Sequence, residues 1–143
     1  MTRYFLTLKQ AIQLLFKAIS NSIGGETFVM KMPGYKIIDI GKAIKAELGN
    51  ENCKIRILGK RPGEKLHEVL ISRYEVENAY IYDENYFVIL PQLNIKGLKE
   101  YYEKLKSINT KEYASNDCIL GYNEARKMLI EGGFITNKKN SAL

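Results

Sequence analysis

The sequence predicts a small α/β domain built on a mixed sheet. Three observations carry that prediction. Leu8, Ala11, Ile12, Leu15, Ala18 and Ile19 recur at i, i+3, i+4, i+7 spacing, the pattern of an amphipathic helix. Short runs rich in β-branched and aromatic residues then alternate with further helical stretches. A length of 143 residues is enough for one modest core.

The elements follow in order. Thr7 followed by Gln10 fits a capping box, and the stripe after it is expected to be buried. Gly24-Gly25 stop that helix, and Gly25 to Met30 reads as a strand. Met32-Pro33-Gly34 reads as a turn. Ile37, Ile40, Ile44 and Leu48 mark a second helix, ended by Gly49. Lys54 to Leu58 alternates and reads as a strand. LHEVLI, after the RPGE turn, is read as a strand, although six apolar-rich residues do not settle their own period.

Ser72 and Glu75 then suggest a second capping box and a short helix. AYIYD and NYFVIL flank Asp83-Glu84 as a hairpin. Leu98, Tyr101, Tyr102 and Leu105 place a helix between Gly97 and Ser107. Asn123 is expected to cap a last helix through Ile130, closed by Gly132-Gly133. Residues 1–135 are expected to form one domain, and 136–143 a disordered polar tail.

Composition narrows the function classes. Hydrophobic residues make up 45% and charged residues 27%, as in globular proteins. There is no apolar run of membrane-spanning length and no secretory pattern, so a cytoplasmic protein is expected. Cys53 and Cys118 form no metal pattern and read as reduced thiols, with one disulfide as the alternative. His67 is the single histidine, too few for a histidine metal site. The net charge of +6 admits nucleic acid, membrane surfaces and anionic small molecules as partners, but no dense basic tract exists. Tyr80, Tyr82 and Tyr86 resemble a stacking surface for nucleic acid, yet alternating aromatics in a hairpin more often pack across strands.

The sharpest chemistry lies in KRPGEKLHEVLIS, Lys60 to Ser72. Proline sets φ and glycine permits left-handed backbone, so the turn holds Arg61 and Glu64 at a fixed separation. A guanidinium binds phosphate oxygens bidentately, while a carboxylate accepts from sugar hydroxyls or orients the arginine. The pair suits a nucleotide sugar. A surface salt bridge across the turn is the plainer alternative. Arg3, beside Thr2, is a second phosphate candidate or a surface charge. No GxGxxG or GxxGxxG loop, GxSxG, Walker loop or HExxH occurs, so no catalytic residue, cofactor site or metal site is assigned.

Four segments together resemble one family: MTRYFLTLKQAI, GGETFVMKMPGYKIIDIGKAI, KRPGEKLHEVLIS and YASND. The chain is similar, from Met1 to about Ile135, to inverting UDP-N-acetylglucosamine 4,6-dehydratases. These, with their polysaccharide-biosynthesis relatives, are extended short-chain dehydrogenases/reductases. The likeness covers the carboxy-terminal substrate-binding lobe only, without the Rossmann domain. It implies that Arg61 and Glu64 hold the UDP moiety, with Arg3 near the diphosphate and Thr2 beside it. Lys31, Met32 and Pro33 match as fold-shaping residues.

The resemblance implies an NADP-dependent lyase that feeds surface-polysaccharide or nonulosonic acid synthesis. The NADP belongs to the full-length family enzyme and none to this chain, which by itself is expected to be inactive. The implied partners are a UDP-sugar and a separate Rossmann-domain chain, with no nucleic acid and no membrane. The oligomeric state is left open. Two alternatives stay open: a related epimerase or dehydratase fragment, and a basic module for nucleic acid or an acidic partner. A decayed gene product that folds poorly is a third.

Overall fold

The structure, a computed structural model, describes residues 1–49 and 52–135; the tail expected at 136–143 lies outside them. It is a small mixed α/β architecture. The order is β1 (Thr2–Tyr4), α1 (Leu8–Asn21), β2 (Thr27–Met30), β3 (Gly34–Lys36), α2 (Ile37–Leu48), β4 (Val69–Ile71), β5 (Ala79–Ile81), β6 (Tyr86–Ile89), α3 (Leu98–Tyr102), β7 (Tyr113–Ala114), β8 (Ile119–Leu120) and α4 (Tyr122–Glu131). Two compact units emerge, each assembled from separated stretches. The first takes Met1–Leu8, Pro33–Glu68 and the chain from Ser115; the second takes Lys9–Met32 and Val69–Ala114.

In the first unit β3 is the central strand. It pairs antiparallel with β1 and parallel with β8. Ile40 and Ala43 of α2 pack against Ala125, Met128 and Leu129 of α4, with Tyr35 closing the cluster. Arg126 donates to Glu47 at 2.7 Å and ties the two helices at the edge of that contact. Gly34 was expected in a turn; instead it opens β3, because the Ser115 carbonyl lies where a Cβ would stand. Only glycine lets the two backbones approach so closely.

In the second unit β6 is central, flanked antiparallel by β2 and β5. The side-chain period of two sends alternate residues of β6 to opposite faces. Val88 and Leu90 join Phe28, Tyr80, Leu98 and Tyr102, while Phe87 and Ile89 join Ile71 and Ala79. The expected hairpin is present: Asp83 Oδ1 accepts from the N–H groups of Asn85 and Tyr86 and closes the turn. Its tyrosines pack across strands. Tyr82 meets Phe28 edge-on at 5.1 Å, and the Lys17 ammonium sits 4.7 Å from the Tyr82 ring centre. Glu75 reaches back to the Ser72 N–H at 2.8 Å, and a single 3-10 turn, Val76–Asn78, follows.

Several expectations need correction. The stripe on α1 is not buried: Leu14 and Ala18 face the core, and Ile12, Leu15 and Ile19 face outward. Residues 54–58 form no strand among the described residues; Ile57 is 82% exposed, since alternation without a partner edge makes no ladder. The helix expected up to Ser107 ends at Tyr102. Gly121, not Asn123, occupies the N-cap of α4. Strands β1, β3, β7 and β8 were not foreseen; each is three residues or fewer, below the length at which alternation is readable.

Candidate functional site

The candidate residues Thr2, Arg3, Arg61 and Glu64 all belong to the first unit. They do so through one loop, residues 61–68, laid against β1: the Thr2 N–H donates to the Leu66 carbonyl at 2.9 Å. That contact fixes the loop's far end. Its near end is a turn.

The turn is type II. The Glu64 N–H donates to the Arg61 carbonyl at 3.1 Å, Pro62 occupies the second position, and Gly63 takes the third with φ of 78°. Glu64 Oε2 also accepts from the Arg61 backbone N–H at 3.1 Å. The turn backbone is therefore locked twice. The Arg61 guanidinium is exposed, and no hydrogen bond or ion pair engages it among the described residues. The surface salt bridge across the turn does not form.

Arg3 behaves in the opposite way. Its guanidinium donates to the carbonyls of Thr2 at 2.7 Å and Lys65 at 2.8 Å, and Nε pairs with Glu68 at 3.2 Å. Only 21% of the side chain is exposed. Arg3 is thus a clamp that ties residues 65–68 to β1, and much of its donor set is spent on the protein.

Thr2 is 3% exposed, and its hydroxyl contacts His67 Nδ1 at 2.8 Å and Ser115 Oγ at 2.7 Å. Ser115, fully buried, accepts from the Glu68 N–H at 2.9 Å through Oγ and donates its own N–H to the Glu68 carbonyl at 2.8 Å. These four residues, with Arg3 paired to Glu68, form a polar frame beneath the loop. Buried polar groups that are all paired specify one arrangement and penalise others. The roles of His67, Glu68 and Ser115 were missed from the sequence, although KLHE and YASND were both singled out. Only the fold brings positions 2, 67 and 115 together.

The arrangement offers binding chemistry. A free guanidinium presents a planar fork of donors for phosphate oxygens. Glu64 has a second carboxylate oxygen for hydroxyl groups. No group of three or more potential metal ligands occurs among the described residues. For the NADP that the resemblance implies in full-length enzymes, the described residues offer no glycine-rich phosphate loop at a strand-to-helix junction: these run through Phe5–Thr7, directly from Lys36 into Ile37, through residues 90–97 and through Gly121. No helix of the described residues is long and apolar enough to cross a membrane.

Lys31 and Met32 serve the second unit's own structure. The Lys31 ammonium donates to the Asp83 carbonyl at 2.6 Å, and the Tyr113 hydroxyl bonds both the N–H and the carbonyl of Met32.

Comparison with known proteins places this geometry among relatives. The model of a family described as "Polysaccharide biosynthesis protein" matches residues 1–90. An inverting UDP-N-acetylglucosamine 4,6-dehydratase of Campylobacter jejuni is 34% identical over 93 residues, covering 65% of this chain and 26% of that protein. A UDP-glucose 4-epimerase of Rickettsia canadensis is 27% identical over 144 residues, 99% of this chain and 42% of the relative. The X-ray structure of Pen from Bacillus thuringiensis superposes with a TM-score of 0.74 at 30% identity, over 92% of this chain and 37% of that one. The chain thus spans between about a quarter and two fifths of these three proteins.

Proposed function

The chain belongs to the polysaccharide biosynthesis protein family, and from that membership we propose that it is the UDP-sugar-binding portion of an inverting UDP-N-acetylglucosamine 4,6-dehydratase. One observation carries the reading. The turn at 61–64 spends its backbone and one Glu64 oxygen on rigidity and leaves the Arg61 guanidinium unengaged. The rigid turn fixes where the arginine side chain starts, and no internal contact has to break before its cation meets an anion.

In this reading Arg61 grips the diphosphate, and the second Glu64 oxygen accepts from ribose hydroxyls. Arg3 and Thr2 act from behind: Arg3 clamps residues 65–68, and Thr2 joins His67 and Ser115 beneath them. Oxidation and water elimination belong to NADP and to residues outside this chain, so the chain by itself binds without turning over. The match to a UDP-glucose 4-epimerase along nearly the whole chain favours one second reading, the same site in a nucleotide-sugar epimerase. Both readings take a UDP-sugar at Arg61.

Isothermal calorimetry with UDP and UDP-N-acetylglucosamine tests the site. The unsubstituted chain is expected to bind UDP, and Arg61→Ala to bind it at least about tenfold more weakly, the loss of one charge-assisted contact. Equal affinity in the two proteins removes Arg61 from the site.

A further inference from the structure

His67, the single histidine, is built into the frame beneath the 61–68 loop. Its Nδ1 lies 2.8 Å from the Thr2 hydroxyl, which in turn lies 2.7 Å from the Ser115 hydroxyl. Thr2 is 3% exposed and Ser115 is fully buried, so neither hydroxyl can turn to bulk water.

The hydrogens in this chain can be counted. Thr2 meets His67 and Ser115, and each of these contacts uses one hydrogen. The two hydroxyls bring one hydrogen each. With Nδ1 bare, Ser115 donates to Thr2, Thr2 donates to Nδ1, and every hydrogen is used. With a proton on Nδ1, three hydrogens compete for two contacts, and one hydroxyl is left buried without an acceptor. Ser115 Oγ offers no relief, because it already accepts from the Glu68 N–H at 2.9 Å. No further acceptor for either hydroxyl occurs among the described residues. A buried donor left without a partner costs more than a made hydrogen bond contributes. The ring hydrogen therefore belongs on Nε2.

We infer that His67 is a positioning residue for the Arg61 site: as the Nε2–H tautomer it gives Thr2 an obligatory acceptor at Nδ1, and so fixes the loop that carries Arg61. Two backbone anchors bracket the ring. The Thr2 N–H holds the Leu66 carbonyl on one side of it, and Ser115 Oγ holds the Glu68 N–H on the other. Both need Thr2 and Ser115 to keep their orientation. The turn itself has no outside anchor: among the described residues, 61–64 hydrogen-bond only to one another. Where the turn sits is thus set from residues 65–68. The position requires an acceptor at the place of Nδ1, and the second ring nitrogen is dispensable for that role. Only the binding readout below rests on the UDP-sugar reading of Arg61.

The test begins with NMR of the 15N-labelled chain at about pH 8, where an imidazole is neutral. With one histidine the ring signals need no assignment, if any purification tag carries none. Nδ1 is expected to be bare and Nε2 protonated, and Thr2→Val, which removes the donor, is expected to give a mixture of tautomers. A proton on Nδ1 in the unsubstituted chain, or the same ring state in both proteins, overturns the inference. His67→Asn puts a side-chain oxygen near the place of Nδ1, and His67→Ala leaves no acceptor. Hydrogen exchange at the Thr2 and Glu68 amides should quicken at least about tenfold in the alanine variant and less than about threefold in the asparagine variant. Affinity for UDP-N-acetylglucosamine should follow, at least about fivefold weaker for alanine and within about twofold for asparagine. Equal losses in the two variants overturn the inference, because the ring itself would then touch the ligand; so does no loss in either. If His67→Ala does not fold, the ring tautomer and the asparagine variant decide. A chain that binds no UDP-sugar defeats the Arg61 reading alone, and the tautomer and amide exchange then decide the role of His67.

Discussion

Glu64 accepts the backbone N–H of Arg61 at 3.1 Å, not its guanidinium. The carboxylate therefore stiffens the turn instead of neutralising the cation next to it. That one relationship separates a binding corner from a surface ion pair, because a guanidinium held by a carboxylate would have to be released before it could hold phosphate.

Replacing Glu64 by glutamine keeps an acceptor for the Arg61 N–H and removes the charge. UDP affinity is expected to fall modestly, since the amide nitrogen cannot accept from the ribose hydroxyls as the second carboxylate oxygen does. Glu64→Ala loses the lock as well and is expected to weaken binding several-fold further. Calorimetry with UDP distinguishes the two, and an equal loss for both variants would mean that the lock adds nothing to binding.

Gly63→Ala forces a Cβ onto a residue at φ of 78°, with nothing else within 4 Å of the added carbon. The penalty is conformational, about 1 kcal/mol. A melting temperature lowered by a few degrees, together with weaker UDP binding, is the expected pair of results. A changed melting temperature with unchanged UDP affinity would show that turn geometry does not matter for the ligand.

Ser115→Ala leaves the part-buried Glu68 N–H without its acceptor and Thr2 without one neighbour. Losing a partner for a buried donor costs about 1–3 kcal/mol. Chemical denaturation should show that loss, whereas Ser115→Thr is expected to recover part of it only if the extra methyl finds room. Gly34→Ala should be worse than either, because the new Cβ would run into the Ser115 carbonyl.

Acid should weaken the second unit through Glu26 and Asp83. Burial by itself raises both carboxyl values, but hydrogen bonds outweigh it: Tyr102 and the Ile23 N–H hold Glu26 below 4.5, and Lys17 with the Asn85 and Tyr86 N–H groups holds Asp83 below 3.8. A carboxylate with a depressed folded value binds fewer protons folded than unfolded. Its stabilisation is therefore complete above the unfolded value and disappears as pH falls through the folded one. The unfolding midpoint should be flat above about pH 5 and fall below it. Tyr102→Phe should make the acid-dependent fall shallower, as Glu26 loses a donor to its charged form. An unchanged acid slope in that variant would remove Glu26 from the account.

RPGE shows how far local sequence reaches. Proline and glycine at its two centre positions have one low-energy turn to adopt, so the type II geometry was readable from four letters. The same holds for α2 with its stop at Gly49, and for the hairpin around Asp83. By contrast, the alternation in KIRIL and the stripe on α1 were read correctly as patterns and wrongly as outcomes. A period says that one side of an element is apolar; it does not say that a partner surface is present to meet it.

What the sequence by itself determined was the RPGE turn, α2, the hairpin around Asp83, the family, and the absence of a glycine-rich phosphate loop along these residues. Tertiary structure alone decided which arginine is free. Arg3 and Arg61 are equivalent as letters, but β1 brings Arg3 against the carbonyls of residues 65 and 66, while no hydrogen bond or ion pair engages the Arg61 guanidinium among the described residues. The availability of a charge depends on what occupies the space around it, and contacts across sixty residues of chain are set by packing rather than by neighbours in the sequence.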